Sequence, residues 1–284
     1  MRGLSFIRKK IGIVLMGGGA RGLAHIGVLE SLKENGINFD LVCGTSMGGI
    51  IGGLFAYGYS PEEIRKMALN FDYTKLLKIP KTSFLKNLNN LFEIIFLSTY
   101  SRIFEKEDED KVEEILKEIV NDVLIENLKI KFFCTAVDLI SGKEVIFDKG
   151  PLYKALRATM SYPFIFKPLN YNRMLLIDGG VLDNAPVIKA KEFGTKRVLV
   201  VDIHKGLKRE SFKNLKSDIS ILKRIYDVMA EKLLEINLQE ADYILKIGIE
   251  KDTFDFSKIE EVINIGKERT NLELKKIKKA LFSI

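Results

Sequence analysis

Three clusters in the 284-residue chain combine residue types that can do acyl chemistry: Gly17-Gly18-Gly19-Ala20-Arg21-Gly22, Gly44-Thr45-Ser46-Met47-Gly48 and Asp178-Gly179-Gly180. A serine flanked by Gly44 and Gly48, placed where a strand turns into a helix, sits on a tight elbow that lifts its hydroxyl above the sheet edge. The helix N-terminus behind it favours developing negative charge. The same residues also fit a serine N-cap between two packing glycines. Asp178 ends an apolar strand, where a partly dry carboxylate can take the serine proton directly. Gly179 and Gly180 let the chain turn sharply behind it, although Asp-Gly is also a frequent turn pair. The run Gly17, Gly18, Gly19, Ala20, Arg21, Gly22 presents backbone N–H groups with few side chains in the way, which suits an oxyanion hole. Within that run, Arg21 reads as a local brace or a phosphate contact.

Two competing arrangements use the same residues. Gly17 to Gly22 matches the G-x-G-x-x-G dinucleotide fingerprint, which requires an acidic residue at the end of the second strand. Asp40 has the right separation but stands at that strand's beginning, and the serine elbow occupies its end. A base other than aspartate has to be one of two histidines, His25 or His204. Ser46, Asp178 and His204 follow the Ser…Asp…His chain order of α/β-hydrolases, so this triad is the rival to a Ser46–Asp178 dyad.

The elements that must position these groups are legible as apolar runs between glycines. Strands are expected at 11–16, 39–43, 131–137, 175–178, 197–203 and 243–247. Helices are expected from Leu23 to Asn35, closed by Gly36, from the serine elbow to about Gly58, and after Ser60-Pro61-Glu62-Glu63, which reads as a capping box. Val112, Ile115, Leu116, Ile119 and Val120 mark another helix. A last one is expected to open at Ser257, with Glu260 three residues on. Short β-branched strands alternating with helices indicate an α/β fold: a mainly parallel sheet with helices on both faces, forming one domain over 1–284. The motifs fall within about 11–203, and 204–284 completes the fold.

Together the three clusters, in this order, resemble the patatin-like phospholipase family over roughly the first 200 residues. The stretch from Gly19 to Leu29, and Asp178-Gly179-Gly180-Val181 running on to Asn184-Ala185-Pro186, are similar to its small bacterial branch. Ala158-Thr159-Met160-Ser161-Tyr162-Pro163 departs from the family's Ala-Ser-x-Ala-x-Pro, with Thr159 in place of Ser. The resemblance implies a three-layer patatin-like fold and a serine esterase of phospholipase or lysophospholipase type. In it, Ser46 is the nucleophile, Asp178 the proton acceptor and Gly17 to Gly22 the oxyanion hole, with no cofactor or metal. The expected substrate is an acyl lipid or ester. Acyl transfer by the same dyad, or a non-catalytic lipid-binding module, are the alternatives in other functional classes.

Composition narrows the field. Forty-five Lys+Arg against 38 Asp+Glu give a net charge of +7, and 46% hydrophobic with 29% charged residues is the balance of a folded chain. No nucleic-acid module accompanies the positive charge, which instead suits anionic lipid surfaces. Cys43 and Cys134 lie apart in apolar runs and read as buried free thiols. With no apolar run long enough to span a bilayer, a cytoplasmic location is expected, peripheral to the inner membrane surface if the protein docks there. Leu85, Leu88, Leu91, Phe92, Ile95 and Phe96 form one helix face behind a lysine cluster. That segment reads equally as an interfacial lid, a core helix or a subunit contact. The oligomeric state is not specified.

Overall fold

The computed structural model describes residues 9–73, 110–163 and 165–283. Strands β1 (Ile11–Leu15) and β2 (Leu41–Gly44) are buried throughout, and β3 (Lys131–Asp138) is buried beyond its first residue. The remaining strands are β4 (Lys143–Phe147), β5 (Leu169–Tyr171), β6 (Met174–Asp178), β7 (Arg197–Asp202) and β8 (Tyr243–Lys246). Side by side, β3, β2, β1, β7 and β8 are parallel. Antiparallel pairing joins β4 and β6 to β3, and β5 to β6. The expected strands are present within about two residues. The antiparallel β4 and β5 were not expected.

Helices α1 (Ala24–Glu34), α2 (Met47–Tyr57), α3 (Pro61–Asn70), α4 (Asp110–Val120), α5 (Leu152–Thr159), α6 (Val187–Glu192), α7 (Asp218–Leu238) and α8 (Ile259–Phe282) surround this sheet. Alternation along β1 separates the two helical layers. Leu15 reaches the α2 side, where its Cδ1 lies 3.4 Å from a Cβ built on Gly52, whereas Gly12 faces Thr195 beyond α6. The result is a helix–sheet–helix sandwich. Strand order reverses at β1, which carries β2 on one edge and β7 on the other. The carboxyl ends of strands beside such a switch point are where open α/β sheets bind ligands.

Local signals mostly act as expected. Ser60 and Glu63 form the capping box with Pro61 at the first helical position, and Gly36 leaves α1 at φ 71°. The first helix differs at its start: Gly19–Leu23 is a tight 3-10 turn, and regular helix begins only at Ala24. The last helix also differs. It begins at Ile259 behind Lys258, a left-handed residue at φ 52°, and no side chain caps it. Ser257 instead holds the Lys251 ammonium through its carbonyl and hydroxyl. The helix expected over 85–96 lies outside the described residues. Among those residues no helix is long and apolar enough to cross a membrane.

Helices α1 and α8 pack closely enough to touch backbones. A Cβ on Gly27 would lie 1.9 Å from the Ile263 carbonyl oxygen, and one on Gly266 would lie 2.1 Å from that of Ala24. Gly27→Ala should therefore force the helices apart and destabilise the fold by about 3 kcal/mol, the upper end for overpacking. Urea unfolding of the purified variant measures this. A change below about 0.5 kcal/mol would contradict the contact.

Candidate active site

One edge of β3 is shared by two strands. Cys134 pairs with Gly44 of β2 on one side and with Phe147 of β4 on the other, while two residues later Ala136 pairs with Val145 of β4 and Asp178 of β6. Because β4 fills one edge, β2 and the antiparallel β6 must both lie on the opposite edge. Their carboxyl ends face each other about two residues apart, roughly 7 Å along the strand. Gly44 leads into Ser46 from one side and Asp178 arrives from the other.

The elbow at Ser46 is strained and firmly held. Its φ of 55° and ψ of −128° place a non-glycine residue in sparsely populated backbone space. The Ser46 N–H donates to Thr159 Oγ1 at 2.8 Å. Thr45 N–H donates to the Leu15 carbonyl, and Thr45 Oγ1 meets Thr135 Oγ1 at 2.7 Å and the Asp183 carbonyl at 2.9 Å. A Cβ on Gly48 would fall 2.0 Å from the Leu15 oxygen, so only glycine lets α2 start this close to β1. Ser46 stands at the N-cap of α2 without its hydroxyl capping the helix. The elbow reading replaces the N-cap reading. Thr159 keeps the hydroxyl of the serine it replaces, and that hydroxyl holds the elbow.

Asp178 is 2% exposed. Its Oδ1 accepts from Gly180 N–H at 2.8 Å, while buried Oδ2 has no partner at full hydrogen-bond geometry. Burial raises its pKa to about 6, against the lowering influence of the Ser46 hydroxyl and the Gly180 amide. Ser46 is thus within electrostatic reach of the carboxyl without a tight hydrogen bond, a looseness common in resting catalytic pairs. Tyr162 and Tyr226 have their pKa values raised by burial and then by charges that include Asp178.

The glycine run does not present six equivalent amides. Gly17 N–H is directed at the Asn184 carbonyl at 3.4 Å, and Ala20 N–H donates to the Thr253 carbonyl at 2.7 Å. Arg21 and Gly22 lie within the 3-10 turn. The amides of Gly18 and Gly19 have no acceptor among the described residues, and Gly19, at φ 57°, lines the same cavity as Ser46. Arg21 is the brace: its Nε donates to the Gly18 carbonyl and its Nη2 to Thr253 Oγ1, each at 3.4 Å. The sequence reading missed Thr253 and Asn184 as clamps on this loop. No local pattern marks residues so distant in the chain.

Neither histidine joins the serine. His25 is fully buried, its Nε2 2.8 Å from the Met16 carbonyl, and burial lowers its pKa to about 4. A carbonyl only accepts, so Nε2 carries the proton and the ring stays neutral. His204 Nδ1 accepts from Gly206 N–H at 3.2 Å and lies 3.3 Å from Glu231. Among the described contacts none links His204 to Ser46 or Asp178, so the triad weighed from chain order is not assembled. Asp40 accepts from the Ile11 N–H at the far end of β1, which removes it as a ribose partner. Cys43 and Cys134 are buried free thiols. Among the described residues no cluster of three or more His, Cys, Asp or Glu is arranged to hold a metal ion.

From Ser46 an apolar cavity runs along α2, past Met47, Ile50 and Leu54, to Ile64 of α3 and Leu116 of α4. Its walls are nearly free of polar surface, so it suits a hydrocarbon chain whose polar end stays at the serine.

Comparison with known proteins shows the family. A family model described as patatin-like phospholipase matches residues 13–191. Lysophospholipase NTE1 of Candida albicans is 33% identical over 193 residues, covering 68% of this chain and 13% of that protein. Patatin-like phospholipase domain-containing protein ZK370.4 of Caenorhabditis elegans is 33% identical over 197 residues, with 68% and 13% covered. The chain thus spans about an eighth of these curated relatives. Among solved structures, VipD of Legionella pneumophila superposes with a TM-score of 0.58 at 17% identity, covering 95% of this chain and 67% of that one. ExoU of Pseudomonas aeruginosa in complex with SpcU gives 0.51 at 15% identity, covering 97% and 53%. With the family model spanning the elbow, the glycine run and Asp178, the chain belongs to the patatin-like phospholipase family.

Proposed function

We propose that this chain is a serine esterase that hydrolyses acyl lipids of the phospholipid or lysophospholipid class through a Ser46–Asp178 dyad, at a membrane surface. The observation carrying this reading is the buried Asp178 carboxyl, with Oδ2 unpaired, facing the hydroxyl of the strained Ser46 elbow at the head of an apolar cavity. The names of the lysophospholipase relatives support the substrate class.

Ser46 Oγ attacks the ester carbonyl while its proton passes to Asp178. The amides of Gly18 and Gly19 hold the oxyanion, and collapse of the tetrahedral intermediate expels the alcohol, which takes the proton from Asp178. Water then attacks the acyl-serine. Asp178 accepts its proton and returns one to Ser46 as the acid leaves. The Asp178 pKa of about 6 makes it a better base than a solvated aspartate while leaving it ionised near neutrality.

Turnover of a soluble short-chain ester should fall about tenfold per pH unit below about 6, where Asp178 takes up a proton, and level off above. Ser46→Ala and Asp178→Asn should each lower it roughly a thousandfold or more in folded protein, and His204→Ala should leave most of it. Loss of activity in folded His204→Ala would overturn the dyad.

Because its folded pKa lies above the ordinary aspartate value, Asp178 favours the fold when protonated, and this contribution is lost as pH rises through about 6. Asp178→Asn should therefore raise the melting temperature at pH 8 relative to wild type, with the gain shrinking toward pH 5. An equal difference at both pH values would contradict the buried-carboxyl account.

Thr159→Val removes the acceptor for the Ser46 amide and should cost about 1–3 kcal/mol of stability together with most of the turnover. Thr159→Ser should retain both. Equal behaviour of the two variants would show that the hydroxyl is not what holds the elbow.

A further inference from the structure

Helix α7 shows two unlike faces. Leu234 is buried, and Asn237 Nδ2 donates to Asp183 Oδ1 at 2.7 Å, which ties the helix to the body of the fold. Tyr226 on the same helix is half-buried, and Asp183, which Asn237 holds, also accepts from Thr45 Oγ1 through its carbonyl, so α7 is tied to the segment next to Ser46. Elsewhere along it, Leu222, Ile225, Met229 and Ile236 follow at steps of three, four and seven residues, which places them along one helical face. All are exposed, Leu222 at 61% and Met229 at 60%. In the turn before the helix, Phe212 is 96% exposed. A monomer immersed in water gains nothing from such a row of large apolar side chains.

The charges around this row indicate its partner. Residues 205–232 hold eight Lys and Arg against four Asp and Glu, a net +4 in 28 residues out of +7 for the chain. Lys208, Arg209, Lys213 and Lys216 are all exposed on the segment leading into α7. A second copy docking through the same face would bring this cationic segment against itself. An anionic bilayer accepts both features at once, apolar side chains entering the acyl boundary and cations meeting headgroup phosphates.

We infer that α7 and the 205–217 segment form the surface by which this chain docks on an anionic phospholipid bilayer, setting the Ser46–Asp178 site at the lipid. The inference rests on the lipid substrate of the proposed function and assigns the membrane contact to a particular surface.

The test uses the full chain and sedimentation with vesicles of phosphatidylcholine alone or mixed with phosphatidylglycerol. Wild type should bind the mixed vesicles and be released by salt. The double variants Leu222→Ser/Met229→Ser and Lys213→Glu/Lys216→Glu should each bind at least about tenfold more weakly and hydrolyse vesicle lipid more slowly. Their melting temperatures and turnover of a short soluble ester should match wild type, because the substituted residues are exposed. Unchanged vesicle binding in both variants overturns the proposal. So does a dimer by light scattering that the apolar variant converts to monomer with vesicle binding intact. A wild type without activity on the soluble ester would sink the catalytic reading instead, and vesicle binding would still report on the surface by itself.

Discussion

Along one edge of β3, β2 stops at Gly44 and β6, running the opposite way, stops at Asp178, so two chain ends are aimed at one point. The elbow after β2 has to turn there without colliding with β1, and the chain after β6 has to turn without colliding with β3. Glycine meets both demands: a Cβ on Gly48 would strike the Leu15 carbonyl, and one on Gly179 would lie 2.0 Å from Thr135 Oγ1. The hydroxyls of Thr45 and Thr135 then tie the elbow, β3 and the Asp183 carbonyl together. Serine and carboxylate face each other because three backbones are allowed to come this close.

That arrangement stores energy at the site. Ser46 is held in a backbone conformation that costs of order 1–3 kcal/mol, and Asp178 is kept from water with one oxygen unpaired. The fully covered strands β1 and β2, β7 buried beyond its first residue, and the close α1–α8 contact supply a rigid frame in which both can persist. In the proposed reaction, dehydration would also strengthen every interaction with the charge that develops at Ser46, since little solvent remains to screen it.

The serine elbow, Asp178 and the parallel strands were legible because each is written in contiguous residues whose turn chemistry and apolar runs have few other meanings. The state of the individual amides was not. Whether Ala20 is available depends on the carbonyl of Thr253, more than 230 residues away, and the sequence holds no local mark of that contact. The antiparallel β4 has only the three apolar residues Val145-Ile146-Phe147 behind two charged ones, and β5 is the three residues Leu169–Tyr171, so neither carries the longer apolar run that betrays a buried strand. Ser257 with Glu260 has the spacing of a cap, yet the left-handed turn at Lys258 sends the chain into α8 without using it. The apolar row on α7 escaped notice because helical spacing reads the same whether a face packs against a core or looks outward.

Covalent trapping tests the pairing of Ser46 with Asp178 most directly. The wild-type chain would be treated with a fluorophosphonate across a pH series, and the adduct located by intact mass and peptide mapping. A single adduct on Ser46 is expected, its rate of formation rising through a midpoint near the Asp178 pKa of about 6 and collapsing in Asp178→Asn. An adduct at another residue, or a Ser46 adduct forming at the same rate in Asp178→Asn, would contradict it.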